Sequence, residues 1–421
     1  MNREKPIWPA GSLAVLAGIN LLNYLDRYML PAVLTPIKGE LHLSDSRLGA
    51  LGSAFMLGYF LTSPIFGYLG DRLPRKHLIA IGVVVWSIGT VFSGRAGVYG
   101  ELVLFRVLVG VGEASYGTIS PAWIADLYAK RWRNNALSIF YAAIPVGSAL
   151  GYLTGGIIAA HWGWRSAFYA AGAPGLVLGL GLLRMREPAR GASEPDEGLR
   201  AAAPRGLRAY AALFRIRPYL LVVAGYVAQT FALGGFAFWA PTFLYRMHGM
   251  SVQSAAVFFG ESLIVTGLVA TVLGGLLATA WQRRSPAGYA RVLALSALAA
   301  VPFSLAAFLI PGATLAKAAL IGAMFLIFIP TGPVNTLILE TVPAGMRASA
   351  MAASIFAIHL FGDLESPNLV GVISDRLGGD LQRAVLWTLP VALAASAVFW
   401  SRLALELGSQ VGNSRKSLPD P

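Results

Sequence analysis

The chain has 421 residues, 56% of them hydrophobic and 13% charged, with a formal net charge of +13 and no cysteine. Apolar runs long enough to cross a bilayer recur throughout, which excludes a soluble domain. The runs are continuous rather than alternating, so they indicate a polytopic α-helical membrane protein and not a β-barrel. Without cysteine there is no disulfide, thiol nucleophile or thiolate-held metal.

Twelve spans are expected, near 10–34, 47–70, 77–96, 99–127, 134–160, 164–183, 218–245, 252–280, 288–310, 315–340, 346–374 and 381–406. The first is read as a retained helix rather than a cleaved signal. With the N-terminus inside, most Lys and Arg residues fall in inner loops and termini. The basic balance therefore encodes orientation, with both termini cytoplasmic in an inner (cytoplasmic) membrane, and nucleic acid is not implied. It also suits anionic membrane lipids.

The first span contains "NLLNYLDRYMLP", which sets Asp26 and Arg27 side by side in an apolar run. Adjacent helical residues point about 100° apart. Asn20, Asn23 and Arg27 form a stripe with Tyr24 close to it, and this stripe is expected to face a central cavity. An ionised side chain at this depth costs at least about 2.5–3.5 kcal/mol unless paired or hydrated. Between the second and third spans lies "GYLGDRLPRK". Gly67 is expected to permit close helix approach, Asp71 to accept hydrogen bonds, and Arg72, Arg75 and Lys76 to face the inner surface. In the fourth span Arg106, Gly110, Glu113 and Gly117 share one face at i, i+4, i+7 and i+11. For Arg106, near the outer end, structural and functional readings stand equal.

An internal repeat links the two halves. Asp126, Arg133 and Ala136 recur as Glu340, Arg347 and Ala350, each offset by 214 residues (340 − 126) and each in an inner loop between the fourth and fifth spans of its half. The longest loop, 184–217, is rich in Pro, Gly, Ala and Arg and reads as a cytoplasmic linker. The expected organisation is a six-helix lobe over 1–183, the linker 184–217, and a second six-helix lobe over 218–421. The seventh span is dense in aromatics, and Trp239 is expected to serve as an interfacial anchor or a wall of an apolar binding cavity. Glu261 in the eighth span is read equally as a proton carrier or a packing charge. In the eleventh, His359 and Asp363 share a face four residues apart. No HExxH-type triad accompanies them, so no metal is expected and a polar contact across the second half of the cavity is preferred.

"GYLGDRLPRK" resembles the cytoplasmic loop signature of the major facilitator superfamily, with Pro74 where glycine is usual. "GWRSAF" and "RVLVGVGEA" resemble other patterns of that superfamily. "PIFGYLGDRLPRK", "VGVGEASYGTISPAWIADLY", "LSIFYAAIPVGSALGY" and "HLFGDLESPNLVGVISD" together look like its spinster-like branch. The resemblance implies twelve transmembrane helices in two pseudo-symmetric lobes, a carrier of lysolipids, sphingoid-type amphiphiles or related molecules, and functional charges at Asp26, Arg27 and Glu113.

The function expected from these features is secondary active transport by alternating access, driven by a proton gradient and without a cofactor. Asp26 and Glu113 are the candidate proton carriers. Arg27, Asn23, Tyr24, His359, Asp363 and Trp239 are the candidate substrate contacts. Gly67, Asp71, Arg72, Arg75, Lys76, Asp126, Arg133, Glu340 and Arg347 are the candidate gate residues. A monomer is expected. The alternatives are an organic-anion or multidrug carrier of the same fold and, from another class, a lipid-modifying membrane enzyme. The enzyme is disfavoured because no nucleophile–base constellation is present, and the absence of a Walker motif removes ATP as the driver.

Overall fold

The computed structural model describes residues 9–70, 72–128, 130–188, 211–343 and 346–416; the side chains of 9, 125, 130–135, 138, 347–349 and 410–416 are outside that description. Among the described residues, helices supply the regular structure. They are α1 (Pro9–Ala32), α2 (Leu34–Leu41), α3 (Asp45–Gly70), α4 (Arg75–Ser93), α5 (Tyr99–Leu127), α6 (Lys130–Trp162), α7 (Trp164–Leu182), α8 (Arg217–His248), α9 (Val252–Gln282), α10 (Gly288–Leu309), α11 (Ala313–Phe328), α12 (Thr331–Glu340), α13 (Arg347–Ile358), a π-helical turn (His359–Asp363), α14 (Ser366–Arg376) and α15 (Leu381–Lys416). Grouped by span, they make the twelve transmembrane passes. Nine helical stretches among the described residues are individually long and apolar enough to cross a bilayer. The eleventh pass is divided into pieces of 12, 5 and 11 residues, each too short to cross alone.

Three passes depart from the continuous helices expected. The first pass ends at Ala32, breaks at Val33 (φ −119°, ψ 14°) and continues as the short α2. The tenth breaks before Pro330, whose missing N–H cannot continue the ladder. The eleventh carries the π turn, a wider winding often found at functional positions. Gly163 (φ 80°) makes the tight turn between α6 and α7, in a conformation that side chains resist.

The chain divides into two compact units, Met1–Leu199 with Met250–Glu261, and Arg200–Gly249 with Ser262–Pro421. In the first unit, α3, α4 and α5 pack backbone to backbone. A methyl on Gly112 would stand 2.6 Å from the Trp86 amide nitrogen, and one on Gly110 would strike the Phe55 carbonyl. Small residues allow this approach, which is how helices associate where lipid offers no hydrophobic drive. Gly67 does not contribute. A methyl there would meet only Thr118 at an ordinary 3.7 Å, so the close approach expected of Gly67 belongs to Gly58, Gly110 and Gly112.

In the second unit, α8 and α15 are joined through Trp400. Its indole lies over Gly225 and its Nε1 donates to the Val222 carbonyl at 3.1 Å, while Ser396 donates to the Gly225 carbonyl at 2.9 Å. Val222, Leu293, Leu337 and Trp400 form part of one buried apolar core. Trp239 is fully buried, not interfacial. Its Nε1 donates to the Pro367 carbonyl at 3.0 Å and fastens α8 to α14.

Candidate functional site

The first unit contains a buried group of four charges. Asp26 and Arg27 leave α1 in different directions, as their 100° separation requires. Asp26 is 1% exposed and accepts a hydrogen bond from Thr90 on α4. Arg27 reaches α5, where its Nε and Nη2 both donate to Oε2 of Glu113, at 3.2 and 2.8 Å. Glu113 is fully buried. The cation of the first span thus pairs with the acid of the fourth, not with its own neighbour.

Arg106 belongs to the same group. It is 1% exposed and interacts electrostatically with Asp26, Glu113 and Arg27. The sequence offered this residue no preferred role. The signal was nonetheless present, since Arg106 precedes Glu113 by seven residues on one helical face. The aromatic surroundings were not anticipated. Three rings surround the Arg27 guanidinium, Tyr24 and Phe55 at 4.8 Å and Tyr59 at 5.4 Å, and Phe55 also lies 5.0 Å from that of Arg106. Phe55 and Tyr59 reach these cations because Gly110 and Gly117 on α5 leave room for the Phe55 backbone and the Tyr59 hydroxyl. Such contacts stabilise a desolvated cation by up to about 2 kcal/mol each.

Hydrogen-bonding capacity is left over. Asp26 Oδ1, Glu113 Oε1, Arg106 Nε and Nη1, and Asn23 Nδ2 are buried without hydrogen-bond partners. Buried polar groups in this state are uncommon and concentrate where a proton, water or ligand group is exchanged. Asn20 is satisfied, donating to the Phe140 carbonyl at 2.8 Å.

In the second unit, His359 Nδ1 and Asp363 Oδ2 are 2.9 Å apart across the π turn, each side chain about 30% exposed. Gly234 on α8 leaves room beside Asp363 and Ser366, and Tyr226 faces both Asp363 and Asn335. The ten-residue α12 ends at Glu340, which is exposed.

The "GDRLPRK" loop forms a third group. Arg75 is buried, ion-pairs with Asp126 and donates from Nε to the Gly70 carbonyl at 3.3 Å. Glu187 accepts from the backbone amides of Arg75 and Lys76, at 2.9 and 3.2 Å, so it caps α4. Sequence reading missed this residue, which lies in the segment read as linker. Arg72 is a local contact, donating to the Tyr68 carbonyl at 3.2 Å with its guanidinium 3.6 Å from the Tyr68 ring. Asp71 and the side chains of Arg133 and Arg347 lie outside the described residues.

A two-unit, twelve-pass helical chain with buried charges in helices one and four has the architecture of a secondary carrier. The family model for the Major Facilitator Superfamily matches residues 16–363. Human protein spinster homolog 1 is 37% identical over 393 residues, covering 87% of this chain and 73% of that one. The sphingosine-1-phosphate transporter SPNS2 of Danio rerio is 34% identical over 406 residues, covering 90% and 79%. Protein spinster of Drosophila melanogaster is 34% identical over 385 residues, and the chain spans only 62% of its length. Among solved structures, a bacterial homolog of the human lysosomal transporter Spinster, inward-facing and unoccupied, superposes with a TM-score of 0.82 at 27% identity over 99% of this chain and all of the other. A D-xylose–proton symporter shares the fold alone, with a TM-score of 0.75 at 19% identity over 93% of this chain and 97% of the other. The chain therefore belongs to the major facilitator superfamily of transporters and, within it, to the spinster family.

Proposed function

We propose that the protein is a proton-coupled carrier of a single-chain anionic amphiphile of the lysophospholipid or sphingoid-phosphate type, working by alternating access in an inner membrane with both termini cytoplasmic. The observation that carries this reading is the pairing of the partly exposed Arg27 with the fully buried Glu113, beside Asp26 and Arg106, with buried atoms of Glu113, Asp26 and Arg106 left without hydrogen-bond partners. A phosphate headgroup competes with Glu113 for the Arg27 guanidinium, since both are oxyanions of matching geometry. A carboxylate stripped of its cation in a dry site takes up a proton rather than remain charged. Substrate binding and protonation of Glu113 then rise together, and Asp26, which faces Arg106 electrostatically, is the second proton carrier. Asn23 and Tyr24 complete the headgroup side within the first unit; His359 and Asp363 are kept as the candidate polar contacts of the second unit, where they pair with each other. One relative, SPNS2 of Danio rerio, is a sphingosine-1-phosphate transporter, which supports the substrate class.

The gate in this reading rests on Arg75–Asp126 and its neighbours Asp71, Arg72 and Lys76, with Arg133, Glu340 and Arg347 in the repeat-related loops. Gly67 is not needed for close packing there. The decisive experiment is uptake of radiolabelled lysophospholipid and sphingosine-1-phosphate into proteoliposomes, with and without an imposed pH gradient. Glu113→Gln and Asp26→Asn are each expected to lose the gradient response while retaining exchange. An intact gradient response in both variants would overturn the coupling role. Uptake of small organic anions with neither amphiphile transported would overturn the substrate class.

A further inference from the structure

The second unit has an apolar groove of about 750 Å³ on its flank, floored by one face of α8 from Leu220 to Phe231 and walled by α15 from Trp387 to Phe399. Phe361 of the π turn and Leu369 of α14 close its other side, and Thr388 is its one polar lining residue. Eleven residues of α8 rise about 17 Å at 1.5 Å each. The hydrocarbon half of a bilayer is about 15 Å deep. The groove is therefore about as long as one leaflet is deep, and along α15 it lies between Arg383 and Arg402. Its walls expose Phe361 (59%), Trp387 (63%) and Val391 (60%), and its α8 floor and α15 wall belong to helices long and apolar enough to cross a membrane.

The two ends of the groove differ in charge. Beyond Leu220 and Phe399, Arg217 and Arg402 each stand three residues further on, close to one helical turn. They share one mouth, because Arg217 Nε is 2.8 Å from Glu406 Oε1 and Arg402 precedes Glu406 by one turn. With exposed Arg215 this mouth holds three arginines against one glutamate. Phe214 and Leu405, each 74% exposed, flank the cations with apolar surface. At the opposite end Arg376 and Arg383 are matched by Asp375 and Asp380, with Arg383 Nε 3.2 Å from Asp380. Among the described residues, only one mouth is therefore net cationic.

We propose that this groove holds a resident anionic phospholipid of the surrounding bilayer, one acyl chain along α8 and α15 and the phosphate at Arg402 and Arg217. Basic clusters at the ends of transmembrane helices select anionic headgroups in this way. The site lies within the second unit and is separate from the Arg27–Glu113 cluster, so it stands whether or not the proposed substrate is right. The lipid braces the π turn, since Phe361 forms one wall, and so fixes the position of His359 and Asp363.

Native mass spectrometry of the full-length protein, equilibrated with equal phosphatidylglycerol and phosphatidylcholine, tests this. Wild type is expected to retain one lipid, with phosphatidylglycerol favoured about fivefold, the factor that one surface arginine contributes. Arg402→Gln should keep the lipid and lose the preference. Ala395→Trp, which fills the groove from its α15 wall, should lose the lipid. Quenching of Trp387 by brominated-chain lipids needs no core substitution. It should be stronger with phosphatidylglycerol than with phosphatidylcholine, and equal in Arg402→Gln. Equal retention by wild type and a folded Ala395→Trp, or no headgroup preference in either measurement, would overturn the proposal. Displacement of the retained lipid by a transported lysophospholipid would reassign the groove to cargo.

Discussion

Helices one and seven occupy corresponding places in the two halves of the fold, yet they bury different chemistry. The first helix, α1, buries Asn20, Asn23 and Asp26, whereas α8 buries Gln229, Thr230, Phe236 and Trp239. The fourth pass is one 29-residue helix carrying Arg106 and Glu113; its counterpart, the tenth, breaks into α11 and α12. The fifth pass is one 33-residue helix, and the eleventh is broken by a π turn. In the first unit the buried charges sit on continuous stretches, Asp26 within α1 ahead of the break at Val33 and Arg106 with Glu113 within α5, whereas the tenth and eleventh passes are irregular in a unit that buries no charged residue among those described. The two devices meet one requirement. Buried ion pairs need fixed geometry to offset desolvation, and an unbroken helix supplies it. An irregular helix exposes main-chain polarity and changes direction, which adapts to a ligand instead of holding a charge.

The largest effect is expected from removing the cation. Arg27→Ala strands Glu113, and breaking a buried pair from one side costs about 3–5 kcal/mol. Uptake should be lost and the melting temperature should fall sharply. Adding Glu113→Gln should recover much of the stability without the transport. If the single variant melts like wild type, the first unit does not depend on its buried charges.

Next comes a matched pair of glycines, one in each unit. A methyl at Gly110 meets the α3 backbone, which cannot yield without separating α3 from α5, whereas at Gly234 it meets the Ser366 hydroxyl at 2.7 Å, a movable group. Gly110→Ala should therefore cost about 1–3 kcal/mol as overpacking and lower uptake by moving Phe55 and Tyr59 from Arg27. Gly234→Ala should change stability less. Melting curves for the two variants decide it, and a larger loss at Gly234 would reverse the contrast between rigid and adaptable halves.

Much of this contrast was legible in the chain. The twelve passes, the superfamily and the Asp26–Arg27–Glu113 set followed from apolar runs, quoted motifs and helical spacing. The pairing did not, because spacing along one helix cannot say that Arg27 meets Glu113 while Asp26 meets Thr90. That depends on which face of α1 each neighbour covers. The ring cage was hidden for a similar reason. Phe55 looks like any membrane-facing aromatic until Gly110 brings α3 against α5. Pro330 marked the break in the tenth pass, but no residue in "HLFGD" announces a π turn. Glu187 escaped because its role is a tertiary helix cap, and Gly67 was overvalued because its spacing suited a close contact that Gly58 and Gly110 make.

Phe55 offers a smaller and sharper probe. Phe55→Leu keeps an apolar side chain but removes the ring beside both Arg27 and Arg106. A loss of about 0.5–2 kcal/mol in stability is expected, with a raised KM for an anionic amphiphile. Phe55→Tyr should restore both. If Leu and Tyr behave alike, the ring is packing and not a partner of the cations.

The smallest effect is expected where charge in the same unit is exposed. Glu40, near the end of α2 and past the apolar stretch of the first span, accepts from Trp164 Nε1 at 2.7 Å and also from Arg165. The Trp164 hydrogen bond first, and the Arg165 contact after it, hold the Glu40 carboxyl below its ordinary range. A depressed folded-state pKa means that the contribution is complete above the unfolded-state value, near 4.3, and is lost as pH falls through the lower folded-state value. The side chains are 33% and 47% exposed, so solvent screening limits the contribution to about 0.2–1 kcal/mol. The melting temperature of wild type should exceed that of Glu40→Gln at neutral pH. The gap should close at acidic pH and in high salt, where exposed charges are screened. The Arg27–Glu113 contribution, read from Arg27→Ala, should withstand the same salt because its partners are buried. Equal salt sensitivity at both sites would show that burial does not separate them.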